Sequence, residues 1–80
     1  MWEIEYSEEV KFYFLDNYPY TFDILVRIEE LRYIPNAVPP EGCVPLEDEP
    51  DTYQWVVLDH LIVYGKMDNK LIIWIIKPLE

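Results

Sequence analysis

The sequence predicts an α+β fold in which an N-terminal strand and a two-helix hairpin precede a three-stranded antiparallel meander. Three observations support this prediction. Residues 2–6 alternate apolar and acidic side chains, residues 7–33 contain two stretches that suit helices, and residues 53–77 contain three apolar runs separated by short polar interruptions. The predicted element order is therefore βααβββ, in a chain of 80 residues that forms one domain, 1–80.

The first strand and the first helix are predicted by local signals. In residues 2–6 every second side chain is apolar and the two between them are glutamates, which is typical of a strand buried on one face. Ser7 is the predicted N-cap of the helix, and Glu8 and Glu9 complement the helix dipole in its first turn. The helix is expected to end before Pro19, because the residue that precedes a proline avoids the helical region.

The second helix is predicted to begin after Thr21 and to run to about Tyr33, where Pro35 stops it. Its apolar stripe follows the 3.6-residue period of a helix. The stripe consists of Ile24, Leu25, Ile28 and Leu31.

Residues 35–52 form a long acidic, proline-rich loop in the predicted fold, with five prolines and five acidic residues. A connection of this length inside a small domain is uncommon and is usually functional or mobile. Its acidic cluster, residues 47–51, lacks the alternating oxygen ligands and the central glycine of a calcium-binding loop. We therefore expect a solvated loop there and assign no metal site.

The three apolar runs at residues 54–58, 61–65 and 71–76 are rich in Val, Ile, Tyr and Trp, which favour strands. Only a few polar residues separate each run from the next, with breaks expected at residues 59–60 and 66–69. Such short connections form hairpins, so we expect the three strands to pair antiparallel.

Charge excludes several classes of partner. Sixteen acidic residues against six basic ones give a net charge of -10 and a pI near 4.3. A surface this negative repels nucleic acids and anionic membranes, so we predict neither as a partner. The charge either keeps a small apolar domain soluble or attracts a basic partner.

The expected location is the cytoplasm. The first residues lack the basic segment and apolar run of a signal peptide. No apolar stretch approaches the roughly 20 residues that cross a bilayer. Cys43 is the only cysteine, and an unpaired thiol fits a reducing compartment.

The two residues with the most reactive side chains, His60 and Cys43, do not indicate a catalytic site. His60, the only histidine, falls at a predicted turn with no base or nucleophile placed beside it. The thiol of Cys43 lies in an acidic loop, which disfavours the thiolate. The sequence also contains neither a Cys/His ligand set for a metal nor a glycine-rich phosphate loop. We therefore assign no catalytic residue, metal or cofactor.

The element order and the placement of aromatic residues resemble the RelE/ParE toxin superfamily, over most of the chain. The residues that carry the resemblance are Tyr53-Gln54-Trp55-Val56-Val57-Leu58-Asp59-His60-Leu61-Ile62-Val63-Tyr64 and Leu71-Ile72-Ile73-Trp74-Ile75-Ile76. Members of that family are toxins of toxin–antitoxin pairs. RelE-like members cut ribosome-bound mRNA, ParE-like members poison DNA gyrase, and an antitoxin segment silences both.

RelE-like cleavage uses basic side chains on an exposed sheet face, at positions that match Gln54, Val56 and Leu61. None of these three supplies the positive charge that would stabilise the phosphate during its transfer. The resemblance implies a toxin-like fold, and the missing basic residues imply that it lacks nuclease chemistry. We therefore expect a degenerate toxin or a component of a toxin–antitoxin-type module that acts through protein–protein contact. The alternatives are an active toxin, either an mRNA endonuclease or a gyrase inhibitor that does not need the same basic set, and a plain adaptor or structural subunit.

Both faces of the predicted meander are apolar, although an antiparallel sheet normally keeps one face polar. We assign one set to the helix-facing side, namely Trp55, Val57, Ile62, Tyr64, Ile72, Trp74 and Ile76. The interaction face is then made of Val56, Leu61, Val63, Leu71, Ile73 and Ile75. Either the loop 35–52 covers this face, or a second copy of the chain or an antitoxin-like protein partner does.

Overall fold

The computed structural model describes residues Met1–Leu79 and is an α+β fold with two α-helices and one five-stranded sheet. The elements in chain order are β1 (Glu3–Tyr6), α1 (Glu8–Asn17), α2 (Phe22–Glu30), a 3-10 turn (Leu31–Tyr33), β2 (Cys43–Pro45), β3 (Thr52–Val57), β4 (His60–Met67) and β5 (Lys70–Pro78). The predicted class and the two helices are confirmed. Strand β2 was not predicted and lies inside the segment that we expected to be a loop.

The sheet is mixed, with the strand order β1-β5-β4-β3-β2. Strands β2, β3, β4 and β5 pair antiparallel in chain order, whereas β1 pairs parallel with β5. Leu58 and Asp59 form the two-residue turn between β3 and β4, both with positive φ. The turn therefore lies one residue earlier than predicted, and His60 belongs to β4.

Ser7 caps α1 as predicted and also ties the helix to the sheet. Its Oγ accepts a hydrogen bond from the Val10 N–H at 3.2 Å. The same hydroxyl donates to the Trp74 carbonyl at 2.8 Å, and the Ser7 N–H donates to the Ile73 carbonyl at 3.0 Å. The cap therefore satisfies two carbonyls of β5 where that strand is irregular.

The start and end of α2 differ from the prediction. Thr21 occupies the N-cap position, but its hydroxyl makes no cap hydrogen bond and is buried without a partner among the described residues. The α-helix ends at Glu30, and the chain continues to Tyr33 as a 3-10 turn. Ile24, Ile28 and Leu31 of the predicted stripe are buried, while Leu25 is half-buried.

The core lies between the helices and one face of the sheet. Its buried apolar residues are Val10, Ile24, Ile28, Leu31, Ala37, Trp55, Val57, Ile62, Tyr64, Leu71, Ile73 and Ile76. Leu71 and Ile73 are fully buried in this core, so their assignment to the interaction face is wrong. Ile72 and Trp74 lie on the opposite face of the sheet, so their assignment to the helix-facing side is also wrong.

A β-bulge in β5 explains these four corrections. The register pairs Val63 with Ile75 and Tyr64 with Ile73, so Trp74 has no partner on β4. One extra residue reverses the alternation of side chains between the two faces on either side of it. Ile73 and Ile76 therefore both point to the helices, and Trp74 and Ile75 both point away.

Segment 35–52 packs on the helix side and along the edge of the sheet. Ala37 is buried in the core, and its carbonyl accepts a hydrogen bond of 2.6 Å from the Tyr64 hydroxyl. Gly42 has φ +75, and a Cβ there would lie 2.6 Å from the Val56 carbonyl oxygen, so the chain needs glycine as it joins β3. The opposite face of the sheet is left uncovered by this segment.

Candidate functional site

The candidate site is the sheet face that points away from the helices, here called the open face. The register places eight apolar side chains on it: Val44, Val56, Leu61, Val63, Met67, Ile72, Trp74 and Ile75. Trp74 and Ile75 are 44% and 40% exposed, and Val56 is 43% exposed. Within residues 1–79, both helices and Ala37 pack against the other side of the sheet, so this apolar surface faces solvent.

Four of the six residues assigned to the interaction face lie on the open face, namely Val56, Leu61, Val63 and Ile75. The structure adds Val44, Met67, Ile72 and Trp74. Val44 was missed because it belongs to an unpredicted strand, and Met67 because β4 continues into the break expected at residues 66–69. Ile72 and Trp74 were missed because an unbroken apolar run such as residues 71–76 contains no local sign of a bulge.

Trp74 lies across the middle of the open face. A Cβ built on Gly65 of β4 would come within 3.1 Å of the Trp74 Nε1 and 3.5 Å of the Thr52 Oγ1. The indole therefore reaches from β5 over β4 toward β3, and the missing side chain of Gly65 provides the room. The result is one exposed indole that lies over the central strands.

The charges on the open face cancel. Its register positions include Glu3 and Glu5 on β1 and Lys70 and Lys77 on β5, two negative and two positive groups. Lys70 Nζ lies 2.8 Å from Glu5 Oε1, and this hydrogen bond raises the pKa of Lys70. A chain of net charge -10 thus has no net charge at the strand positions of this face.

On the helix side, Glu29 joins β1 to the end of α2. One of its carboxylate oxygens accepts a hydrogen bond from the Tyr6 hydroxyl, and the other accepts one of 2.6 Å from the Arg32 Nε. Burial works against the charged form of Glu29. The hydrogen bonds from Arg32 and Tyr6 outweigh it, and the pKa of Glu29 is lowered. Burial and the bond to Glu29 raise the pKa of Tyr6.

We expect Glu29→Gln to destabilise the protein at neutral pH but not in acid. A carboxyl whose folded pKa is lowered stabilises the fold above its unfolded pKa, about 4.3, and loses that contribution as pH falls through the folded value. Because the side chain is 38% exposed, the loss at pH 7 should be about 1 kcal/mol. Urea unfolding at neutral and acidic pH measures it.

The matched control is Glu30→Gln, the adjacent and exposed carboxylate. It should leave the pH dependence of unfolding as in the wild type. Equal effects of the two substitutions at every pH would contradict the role given to Glu29.

His60 and Cys43 have structural contacts. His60 Nδ1 lies 2.9 Å from the Leu58 carbonyl oxygen and so donates its proton there, which leaves Nε2 to accept from the Tyr13 hydroxyl at 2.8 Å. Both ring nitrogens therefore hold α1 against the β3–β4 turn. Burial raises the pKa of the Cys43 thiol, which contacts the Tyr64 hydroxyl at 3.5 Å.

Among residues 1–79, no cluster of three or more His, Cys, Asp or Glu side chains is arranged to hold a metal ion. Neither described helix is long and apolar enough to cross a membrane.

No protein-family model matches this chain, and no curated protein matches it.

Proposed function

We propose that this protein is a RelE/ParE-like toxin-fold protein that acts through protein–protein contact at its open face and does not cleave RNA. The observation that carries the proposal is the chemistry of that face. Its strand positions are mostly apolar and carry no net charge, whereas RelE-like nuclease chemistry on a sheet face uses clustered cations.

The order of elements supports the toxin-like part of the proposal. A strand, two helices and three consecutive antiparallel strands follow one another, as the resemblance implies. Strand β2 adds a short edge to this plan without changing the order of the rest.

The positions that match the basic residues of RelE-like toxins support the non-nucleolytic part. Gln54, Val56 and Leu61 share the open face and supply no positive charge. Lys70 and Lys77 are the cations that the register puts there, at opposite ends of β5, and Lys70 is paired with Glu5. This arrangement cannot surround a phosphate or move protons on both sides of it.

The surface itself supports protein contact. Interface cores are rich in aromatic and apolar side chains and poor in charges, which describes Trp74 and its neighbours. An antitoxin-like partner would therefore dock through apolar side chains, because the open face has no excess of positive charge for an acidic segment to match.

Two measurements test the proposal. Purified protein added to ribosomes carrying mRNA should give no cleavage products, and any ribosome-dependent cleavage would overturn the non-nucleolytic part. A photo-crosslinking amino acid at Val63 on the open face should form protein adducts in cells. The same group at Leu15 on α1, which is 74% exposed, should form none.

The lack of any adduct at Val63 would overturn the contact role of the open face. Growth arrest on expression, without mRNA cleavage, would instead favour the alternative of a gyrase inhibitor, and inhibition of purified gyrase would establish it.

A further inference from the structure

We infer that the partner of the open face is a second copy of this chain, which docks on it face to face about a two-fold axis. The inference rests on the proposed function, because it names the occupant of the same surface. Charge, area and the position of the central strand support it.

The charge distribution favours self-association through the open face over self-association through any charged part of the surface. Each copy has a net charge of -10, so two copies repel one another. On the open face, Glu3 and Glu5 are balanced by Lys70 and Lys77, so two such faces can meet without bringing a net charge together. A basic partner, which the chain as a whole attracts, would find no excess negative charge there.

The area of the face is sufficient for a specific dimer. The strands contain about 30 residues, and each covers roughly 16 Å² of sheet, from a strand spacing of about 4.8 Å and a rise of about 3.4 Å. The face thus spans roughly 500 Å², and two copies would bury about 1,000 Å², which is at the low end for specific interfaces. Protruding side chains such as Trp74 increase the accessible area further.

The centre of the face identifies the most sensitive position. Strand β4 is the central strand of the five, and Val63 lies at its middle, paired with Gln54 on one side and Ile75 on the other. In a two-fold contact, residues near the axis meet their own copies. A charge placed at Val63 would therefore meet the same charge on the second chain.

The test is the mass of the full-length protein by light scattering and sedimentation over a wide concentration range. We expect the wild type to reach twice the mass of the chain. Val63→Lys and Val63→Glu should each raise the dissociation constant of the dimer roughly 100-fold, since like charges opposed across an interface cost several kcal/mol. A mixture of the two variants should recover dimer, because opposite charges then meet.

Recovery of the dimer on mixing shows that the variants are folded and have lost only the contact, because a misfolded variant would not dimerise. Circular dichroism checks the fold of each variant separately. The matched control, Leu15→Lys, adds the same charge to an exposed apolar position on the helix side and should leave the dimer intact. Fluorescence gives a second readout. Trp74, the most exposed of the three tryptophans, should shift to shorter wavelength as the wild type dimerises, but not in Val63→Lys.

A wild type that stays monomeric at every concentration overturns the inference, as does a dimer that Leu15→Lys disrupts and Val63→Lys does not. If the protein is monomeric and position 63 still crosslinks to a different protein in cells, the proposed function stands and only the identity of the partner is wrong. If position 63 forms no adduct of any size, both are wrong.

Discussion

Truncation of Ile73 to alanine is expected to lower the free energy of unfolding by about 2–5 kcal/mol, the range for a fully buried isoleucine. This is a large share of the roughly 4–12 kcal/mol typical for a chain of 80 residues. The same truncation at Ile75, which is 40% exposed on the open face, should cost less than about 1 kcal/mol. The two residues are two apart in one strand, and a regular strand would place them on the same face.

Urea unfolding followed by fluorescence measures both variants, at the lowest usable protein concentration so that self-association does not add to stability. The midpoint should fall sharply for Ile73→Ala, with an unchanged dependence on urea. Similar losses at the two positions would mean that β5 is regular and that the bulge at Trp74 does not form.

The second large effect is expected from Tyr64→Phe, which removes one oxygen atom from the core. The Tyr64 hydroxyl donates to the Ala37 carbonyl, and both residues are fully buried. Without that hydroxyl, the buried Ala37 carbonyl has no hydrogen-bond partner among residues 1–79, and leaving such a group unpaired costs about 1–3 kcal/mol. The bond also joins β4 to the segment that leads into β2, so the loss should loosen residues 37–45.

Tyr53→Phe is the matched control, because its ring stacks on Tyr64 and is half-buried, yet its hydroxyl has no hydrogen-bond partner among the described residues. It should leave the midpoint of urea unfolding nearly unchanged. Hydrogen exchange gives the local readout, with faster exchange of the Val56 N–H, which bonds to Gly42, in Tyr64→Phe alone. Equal stability of the two variants would show that the Ala37 carbonyl finds another partner.

The elements that could be predicted depend on interactions between near neighbours in the chain. The cap at Ser7 requires only a hydroxyl and the N–H three residues later. The stripe of α2 repeats at the helical period within a short window, and the three apolar runs of β3, β4 and β5 are continuous local stretches of strand-forming residues. The turn at Leu58 was misplaced by one residue, because its positive φ is unusual for leucine and nothing in the local sequence indicates it.

The candidate site was predicted only in part, because local alternation assigns residues to the correct face only where a strand is regular. Alternation along β3 and β4 correctly separates the faces, so Val56, Leu61 and Val63 lie together on the open face. In β5 the alternation fails at Trp74, and the assignment is reversed for every residue between that bulge and the start of the strand. Leu71 and Ile73 therefore moved into the core.

Local patterns in the sequence are enough to predict the α+β class, the two helices and the apolar character of both sheet faces, and composition alone sets the net charge of -10. Three features emerge only when the chain folds: the parallel pairing of β1 with β5, the addition of β2 at the far edge, and the face that holds Trp74. These features depend on contacts between residues far apart in the chain, such as Ser7 with the carbonyls of Ile73 and Trp74. No local pattern encodes such contacts, because the partners meet only when the helices pack on the sheet.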